Sequence, residues 1–206
     1  MHDKTVSSDS FLTVAETITR EFKEKGSRFI GHLHRAGTAD AAEEIIGKYR
    51  KKYFDASHNC FAWYLGEDQF RYSDDGEPSG SAGKPIFNVL KGSGMQQLVC
   101  VVTRYFGGTK LGVGGLVRAY SASAALCVED ASKVRIIQYG QIGFSHLYDD
   151  TSAIMHYIDK YDGKIIESDY RAEVFVLAEI RKSAIAQFRD DLTEATKGRV
   201  TFTEKT

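Results

Sequence analysis

Residues 98–120, LVCVVTRYFGGTKLGVGGLVRAY, constrain the fold more than any other stretch. Leu98, Val99, Cys100, Val101, Val102 and Thr103 form a continuous apolar, largely β-branched run, the pattern of a strand covered on both faces. The run ends at Arg104. Tyr105 and Phe106 then stand before Gly107 and Gly108, residues that permit positive φ and let a ligand or partner approach the main chain. Gly112, Gly114 and Gly115 repeat the device before a small-residue helix read over 114–131. Unpaired amides at such a helix start favour anions.

The charge pattern points to the same place. No Asp or Glu lies between Glu77 and Glu129, a window that holds Lys84, Lys91, Arg104, Lys110 and Arg118. The whole chain carries 27 Lys and Arg against 28 Asp and Glu, so its charges are sorted along the sequence. Residues 1–136 have 18 basic and 16 acidic side chains and 137–206 have 9 and 12, which assigns any basic face to the first part. Just before the window, residues 74–85 have turn composition throughout. Pro85 fits the first position of a short helix over 86–90, a second anion-favouring helix start beside Lys84. Arg118 either works with the N-terminus of its own helix or pairs with Asp74, Asp75 or Glu77 to tie the two loops together. The structural alternative is a tight connection whose glycines serve packing and whose lysines are only solvated.

The remaining periodicities give an α+β chain of two domains, 1–135 and 136–206. In the first, strands are expected at 11–15, 17–24 and 28–35, a helix at 38–53 with Thr38 or Ala39 near its N-cap, and strands at 58–66 and 69–73. His32 and His34 share one strand face and read as surface residues rather than metal ligands. In the second domain, strands at 138–146, 164–170, 171–180 and 199–202 alternate with helices at 149–160 and 184–196. Asp149 or Asp150 is expected to cap the first of these helices and Ser183 the second. The order is β-α-β-β-α-β, the ferredoxin-like arrangement.

Several function classes fail on spacing. A P-loop needs glycine where Pro78 stands, and Pro85 replaces the hydroxyl residue that would hold magnesium. A dinucleotide fingerprint beginning at Gly112 would need glycine at Val117. Ser79 or Ser81 with His58 and Asp74 lacks a nucleophile elbow, and Asp74, Asp75 and Glu77 lack calcium-loop spacing. No catalytic residue, metal or cofactor is assigned. Cys60, Cys100 and Cys127 lie far apart, two of them in apolar runs, as in a reduced protein. No apolar run approaches the roughly 20 residues that span a bilayer. The opening MHDKTVSSDSFLTV lacks the basic and apolar regions of a secretory signal, so a cytoplasmic location without membrane association is expected.

RYFGGTKLGVGGLVRAY at 104–120, together with SDDGEPSGSAGKPI at 73–86, resembles the paired signature of the IMPACT family in its bacterial, YigZ-type branch. The resemblance is close over 28–131 and looser beyond. It implies an N-terminal domain similar to one in a small-subunit ribosomal protein and to domain IV of elongation factor G, with a ferredoxin-like C-terminal domain. It also implies ribosome or nucleic-acid binding and regulation of translation. The kinase-directed role of eukaryotic members uses an additional N-terminal domain not found in this sequence and is not carried over.

The motif positions mark Asp74, Asp75, Glu77 and Lys84 on the first loop, and Arg104, Tyr105, Lys110 and Arg118 on the second. The leading expectation is a non-enzymatic module that binds RNA or the ribosome and regulates translation. Lys84, Arg104, Lys110, Arg118 and backbone around Gly107, Gly108 and Gly114 would meet phosphates, and Tyr105 or Phe106 would stack on a base. Two rivals are an enzyme or sensor for a small phosphorylated ligand, with the three acids as its partners, and a protein-interaction adaptor using Tyr105 and Phe106.

Overall fold

The computed structural model describes residues 9–66 and 68–203. Most of the opening segment read above for a secretory signal lies outside them. The chain divides into two compact units, Phe11–Arg135 and Ile136–Thr206, with Asp9 and Ser10 counted in the second.

The larger unit is built on a five-stranded antiparallel sheet of β2 (Ile18–Glu24), β3 (Ser27–Arg35), β4 (His58–Gly66), β5 (Gln69–Ser73) and β6 (Leu98–Tyr105), in the order β2-β3-β6-β4-β5. The apolar run is therefore the central strand. Cys100 is paired with Leu33 of β3 on one side and Ala62 of β4 on the other. Its side chains divide by the two-residue period of a strand. Leu98, Cys100 and Val102 enter a core with Ile86 and Leu90 of α2 (Gly83–Gly92) and Leu116, Tyr120 and Ala124 of α3 (Gly112–Glu129). Val99 and Val101 enter a second core with Ala42 and Ile46 of α1 (Ala39–Lys52). Both faces are covered, as the sequence required.

Local chemistry fits these elements. Thr38 caps α1, its Oγ1 accepting from the Ala41 amide at 3.2 Å, and Arg50, Lys51 and Lys52 occupy the last turn, where the helix dipole favours cations. Gly31 of β3 lets α3 lie close, because a Cβ there would meet Ser123 O and Cys127 Sγ at 2.9 Å. His32 and His34 are not surface residues as expected, because α1 packs over their face of β3. His32 is 1% exposed, its ring stacked on Tyr49 at 4.1 Å. His34 hydrogen-bonds with Thr17 Oγ1 at 2.9 Å and with the Tyr49 hydroxyl at 2.7 Å. A two-stranded sheet of β1 (Ser10–Val14) and β7 (Lys133–Ile137) completes the chain up to residue 137. The sequence reading had no strand at the second of these.

The smaller unit runs β8 (Tyr139–His146), α4 (Thr151–Lys160), β9 (Lys164–Tyr170), β10 (Val174–Arg181), α5 (Ile185–Ala195) and β11 (Thr201–Thr203). Its antiparallel sheet has the order β11-β8-β10-β9. Phe144, Val176, Ile154, Phe188 and Leu192 are at the centre of its core. Asp150 takes the N-cap position of α4 as expected, without a side-chain capping bond, whereas Ala184 rather than Ser183 takes that of α5. Asp150 precedes α4, but its carboxylate is held by Arg199 through Nε at 3.1 Å and Nη2 at 2.5 Å. The Ser183 hydroxyl donates to Asp9 Oδ2 at 2.5 Å. The architecture is thus a two-unit α+β chain with a separate sheet in each unit. No helix among the described residues is long and apolar enough to cross a membrane.

Candidate functional site

The two unusual loops meet at the end of the central strand. Past Tyr105 the chain turns so tightly against the β2–β3 hairpin that a Cβ on Gly107 would lie 1.9 Å from the Gly26 carbonyl carbon. Only glycine fits there. The Gly107 amide donates to Ser27 Oγ at 3.2 Å and the Phe106 amide to Ser57 Oγ at 3.0 Å. Helix α3 then begins at Gly112, with φ +72°, two residues before the position expected from the sequence. No side chain caps its first amides, and no acid lies in its first turn. Lys110 and Arg118 are both exposed and have no acidic partner among the described residues. The Arg118 guanidinium lies beside Gly114, since a Cβ on that glycine would be 3.6 Å from Nη1.

The acidic loop is occupied with its own structure. Asp74 Oδ1 accepts from the amides of Ala82 at 2.9 Å and Gly83 at 2.8 Å, and Oδ2 accepts from Gly80 at 2.8 Å. Helix α2 starts at Gly83 rather than 86, and its N-terminus already holds a carboxylate. The second anion-favouring helix start expected from the sequence is therefore taken by Asp74. Lys84 is exposed in its first turn. Asp75 Oδ2 accepts from the Asn59 amide at 2.7 Å, and Oδ1 pairs with Arg50 at 2.9 Å. Neither aspartate pairs with Arg118.

Arg104 is not a surface cation. It is 4% exposed, and its Nη1 donates to Glu77 Oε1 at 2.6 Å while Nη2 donates to Ser27 Oγ at 3.2 Å. The rings of Phe29 and Phe106 each lie 5.5 Å from its guanidinium carbon. Glu77 Oε1 also accepts from the Tyr120 hydroxyl at 2.8 Å, and His58 Nε2 stands 3.8 Å away. Burial pushes the Tyr120 phenol far above its ordinary range, which keeps it a donor to Glu77. Burial likewise raises the Cys60 thiol, whose Sγ donates to the Asp74 carbonyl at 2.9 Å, so this cysteine is held as an inert thiol rather than a nucleophile. Tyr105 and Phe106 do not form one aromatic surface. The Tyr105 hydroxyl donates to Asp55 at 2.8 Å with Arg28 over its ring, whereas Phe106 is 49% exposed.

These parts enclose a pocket of about 350 Å³. The buried Glu77 and Arg104 form its floor, Phe106, Leu111, Val113 and Leu116 its apolar walls, and Lys110 with Gly112 its exposed margin. Arg118 lines a separate pocket of about 240 Å³ with Phe22, Glu24 and Lys25. Neither pocket includes Lys84 or Tyr105. The sequence reading missed Leu111, Val113 and Leu116 as walls and Tyr120 as a partner of Glu77. A bulky Tyr120 amid the alanines of α3 was the available signal. No group of three or more His, Cys, Asp or Glu side chains suited to a metal occurs among the described residues. Chemically, the pocket offers an apolar slot with a carboxylate acceptor below it and positive potential at its mouth.

Comparison with known proteins agrees with this architecture. Residues 25–128 match the Impact N-terminal domain, and residues 148–199 match a domain of unknown function, DUF1949. The chain is 38% identical over 187 residues to the IMPACT family member YvyE of Bacillus subtilis, covering 90% of this chain and 81% of that protein. It is 34% identical over 194 residues to YigZ of Escherichia coli, covering 92% and 95%. A crystal structure of a hypothetical protein, 33% identical, superposes with a TM-score of 0.71 over 96% of this chain and 98% of the other. Both paired motifs, both units and the full-length relatives agree, and the chain belongs to the IMPACT family.

Proposed function

We propose that the protein is a non-enzymatic, cytoplasmic module that binds RNA or the ribosome through the 104–118 loop and so regulates translation. One observation carries the reading. The uncapped N-terminus of α3 is flanked by two exposed cations, Lys110 and Arg118, on a stretch free of acids, which is a surface suited to phosphates. Two fold likenesses support it without deciding it. We read the β-α-β-β-α-β unit as ferredoxin-like, and the larger unit as similar to ribosomal-protein and elongation-factor domains.

The test is binding of purified protein to tRNA and to ribosomes across a salt series, beside the double variant Lys110→Ala, Arg118→Ala. Each phosphate contact contributes about 0.7–0.9 to the slope of log K against log salt, so the double variant should flatten it by about 1.5. Absent or salt-insensitive binding would sink the reading.

A second reading, a sensor of a small phosphorylated ligand, is favoured by one observation. The pocket of about 350 Å³ falls within the size range of small-molecule sites. Stabilisation by a nucleotide or sugar phosphate, approaching about 2.7 kcal/mol at a hundred times Kd and lost in Lys110→Ala, would support it.

A further inference from the structure

Of the side chains on the pocket floor, Glu77 has bonding capacity that the fold does not use. Its side chain is 4% exposed. Oε1 takes both the Arg104 and Tyr120 donors, while Oε2 receives no donor among the described residues. This oxygen is not among the buried atoms that lack a partner, so it is open to a donor from outside the fold, and it lies in a pocket whose other surfaces are mainly apolar. Phosphate does not suit that interior. It suits the margin, where Lys110 and the first amides of α3 lie. A ligand matching both regions has a flat, apolar-faced ring carrying an N–H donor, with an anion a short distance away. Phe106 provides the stacking wall, its ring backed by the guanidinium of Arg104.

We propose that this pocket seats the base of one unpaired nucleotide, with its amino group donating to Glu77 Oε2, its ring against Phe106 and its phosphate at Lys110. The inference rests on the nucleic-acid reading above and narrows it in two ways. A base inside a duplex cannot enter, so the site takes single strands, loops or ends. A carboxylate only accepts, so it selects a base presenting an amine. Cytosine donates from N4 to Glu in this way, whereas uracil places a carbonyl oxygen at that position and is repelled. The two pyrimidines are similar in size, so comparing them isolates the contact with Glu77.

The experiment measures binding of oligo(C), oligo(U) and a mixed-sequence RNA duplex, each about ten nucleotides, a length within the usual single-strand site range. Wild type should bind oligo(C) above oligo(U) and both above the duplex. Phe106→Ala, a change at an exposed ring, should weaken oligo(C) binding about 5- to 100-fold, the range of one base–aromatic stack. Glu77→Gln should erase the preference for cytosine, and if that variant does not fold, Phe106→Ala still decides. Equal binding of oligo(C) and oligo(U), or a Phe106→Ala protein that binds as wild type, overturns the proposal. If tRNA binding stays salt-steep and dependent on Lys110 in that case, the phosphate reading survives while the base pocket falls. If no RNA binds, both fall. Competition by cytidine monophosphate as strong as that of oligo(C) would support the pocket and identify a free nucleotide as its occupant.

Discussion

Replacing Glu77 with Leu would test how the pocket floor is built. The change removes the acceptor of both Arg104 Nη1 and the Tyr120 hydroxyl, leaving a guanidinium that is 4% exposed with Ser27 as its remaining hydrogen-bond partner. Removing one partner of a buried ion pair costs about 3–5 kcal/mol, and an orphaned buried hydroxyl costs about 1–3 kcal/mol more. Burial of the new leucine offsets about 1.5–3 kcal/mol. The net expectation is a loss of about 3–5 kcal/mol. With a urea slope near 2 kcal/mol per molar, the unfolding midpoint of this unit falls by about 2 M. Trp63, the single tryptophan, is buried on β4 and reports this unit's unfolding by fluorescence. The double variant Glu77→Leu, Arg104→Met should recover most of the loss, because a buried pair exchanged for apolar side chains is often near neutral. A midpoint shift below about 0.5 M in the single variant, or a double variant no more stable than it, would refute the assignment of this pair as buried and mutually dependent.

Other consequences can be checked by the same denaturation assay. Asp74→Ala removes the carboxylate from the Ala82 and Gly83 amides at the start of α2 and from the Gly80 amide in the loop before it, and should cost about 1–2 kcal/mol, the range of a lost helix N-cap. Gly107→Ala should destabilise the unit and alter the loop, since its Cβ meets backbone, whereas Gly80→Ala meets no atom within 4 Å and carries only the strain of φ +74°. Acid sensitivity should be traceable to His32, whose pKa burial, with repulsion from Lys52 and His34, lowers from 6.5 to about 3. The unfolded chain binds the proton more readily, so this stability is complete above pH 6.5 and is lost as pH falls toward 3. The slope approaches about 1.4 kcal/mol per pH unit, and His32→Phe should flatten the curve between pH 6 and 5. An unchanged slope there would contradict the buried neutral imidazole.

The sequence made the sheet legible where signals were local. The run at 98–103 required covers on both faces, and α1 with the α2–α3 pair supplies them. Thr38 capped its helix as the local rule predicts. What escaped was settled by distant partners. Asp74 satisfies amides six to nine residues ahead, which no capping-box spacing announces. Counting charge made Arg104 a candidate phosphate ligand, but its neutralising partner Glu77 lies 27 residues earlier in the chain. His32 and His34 read as exposed because the helix that covers them is named only by the fold. That the two unusual loops stand out was thus readable from glycines and charge sorting, and the fold brings them together through Glu77 and Arg104. The division of labour within the site was not readable. Asp74 and Asp75 hold backbone, Glu77 and Arg104 form a floor, and Lys110 and Arg118 are left facing solvent.

The backbone contact between Gly26 and Gly107 makes the 104–118 loop a poor candidate for transplantation by itself. Its shape is borrowed from a hairpin turn 80 residues away, where Ser27 Oγ accepts the Gly107 amide and Gly26 leaves no room for a side chain. An engineer grafting this loop onto another scaffold would have to carry the Lys25–Gly26–Ser27 turn with it as a second, non-contiguous segment. For the same reason, an insertion in that remote hairpin is expected to reshape the loop without altering one of its residues.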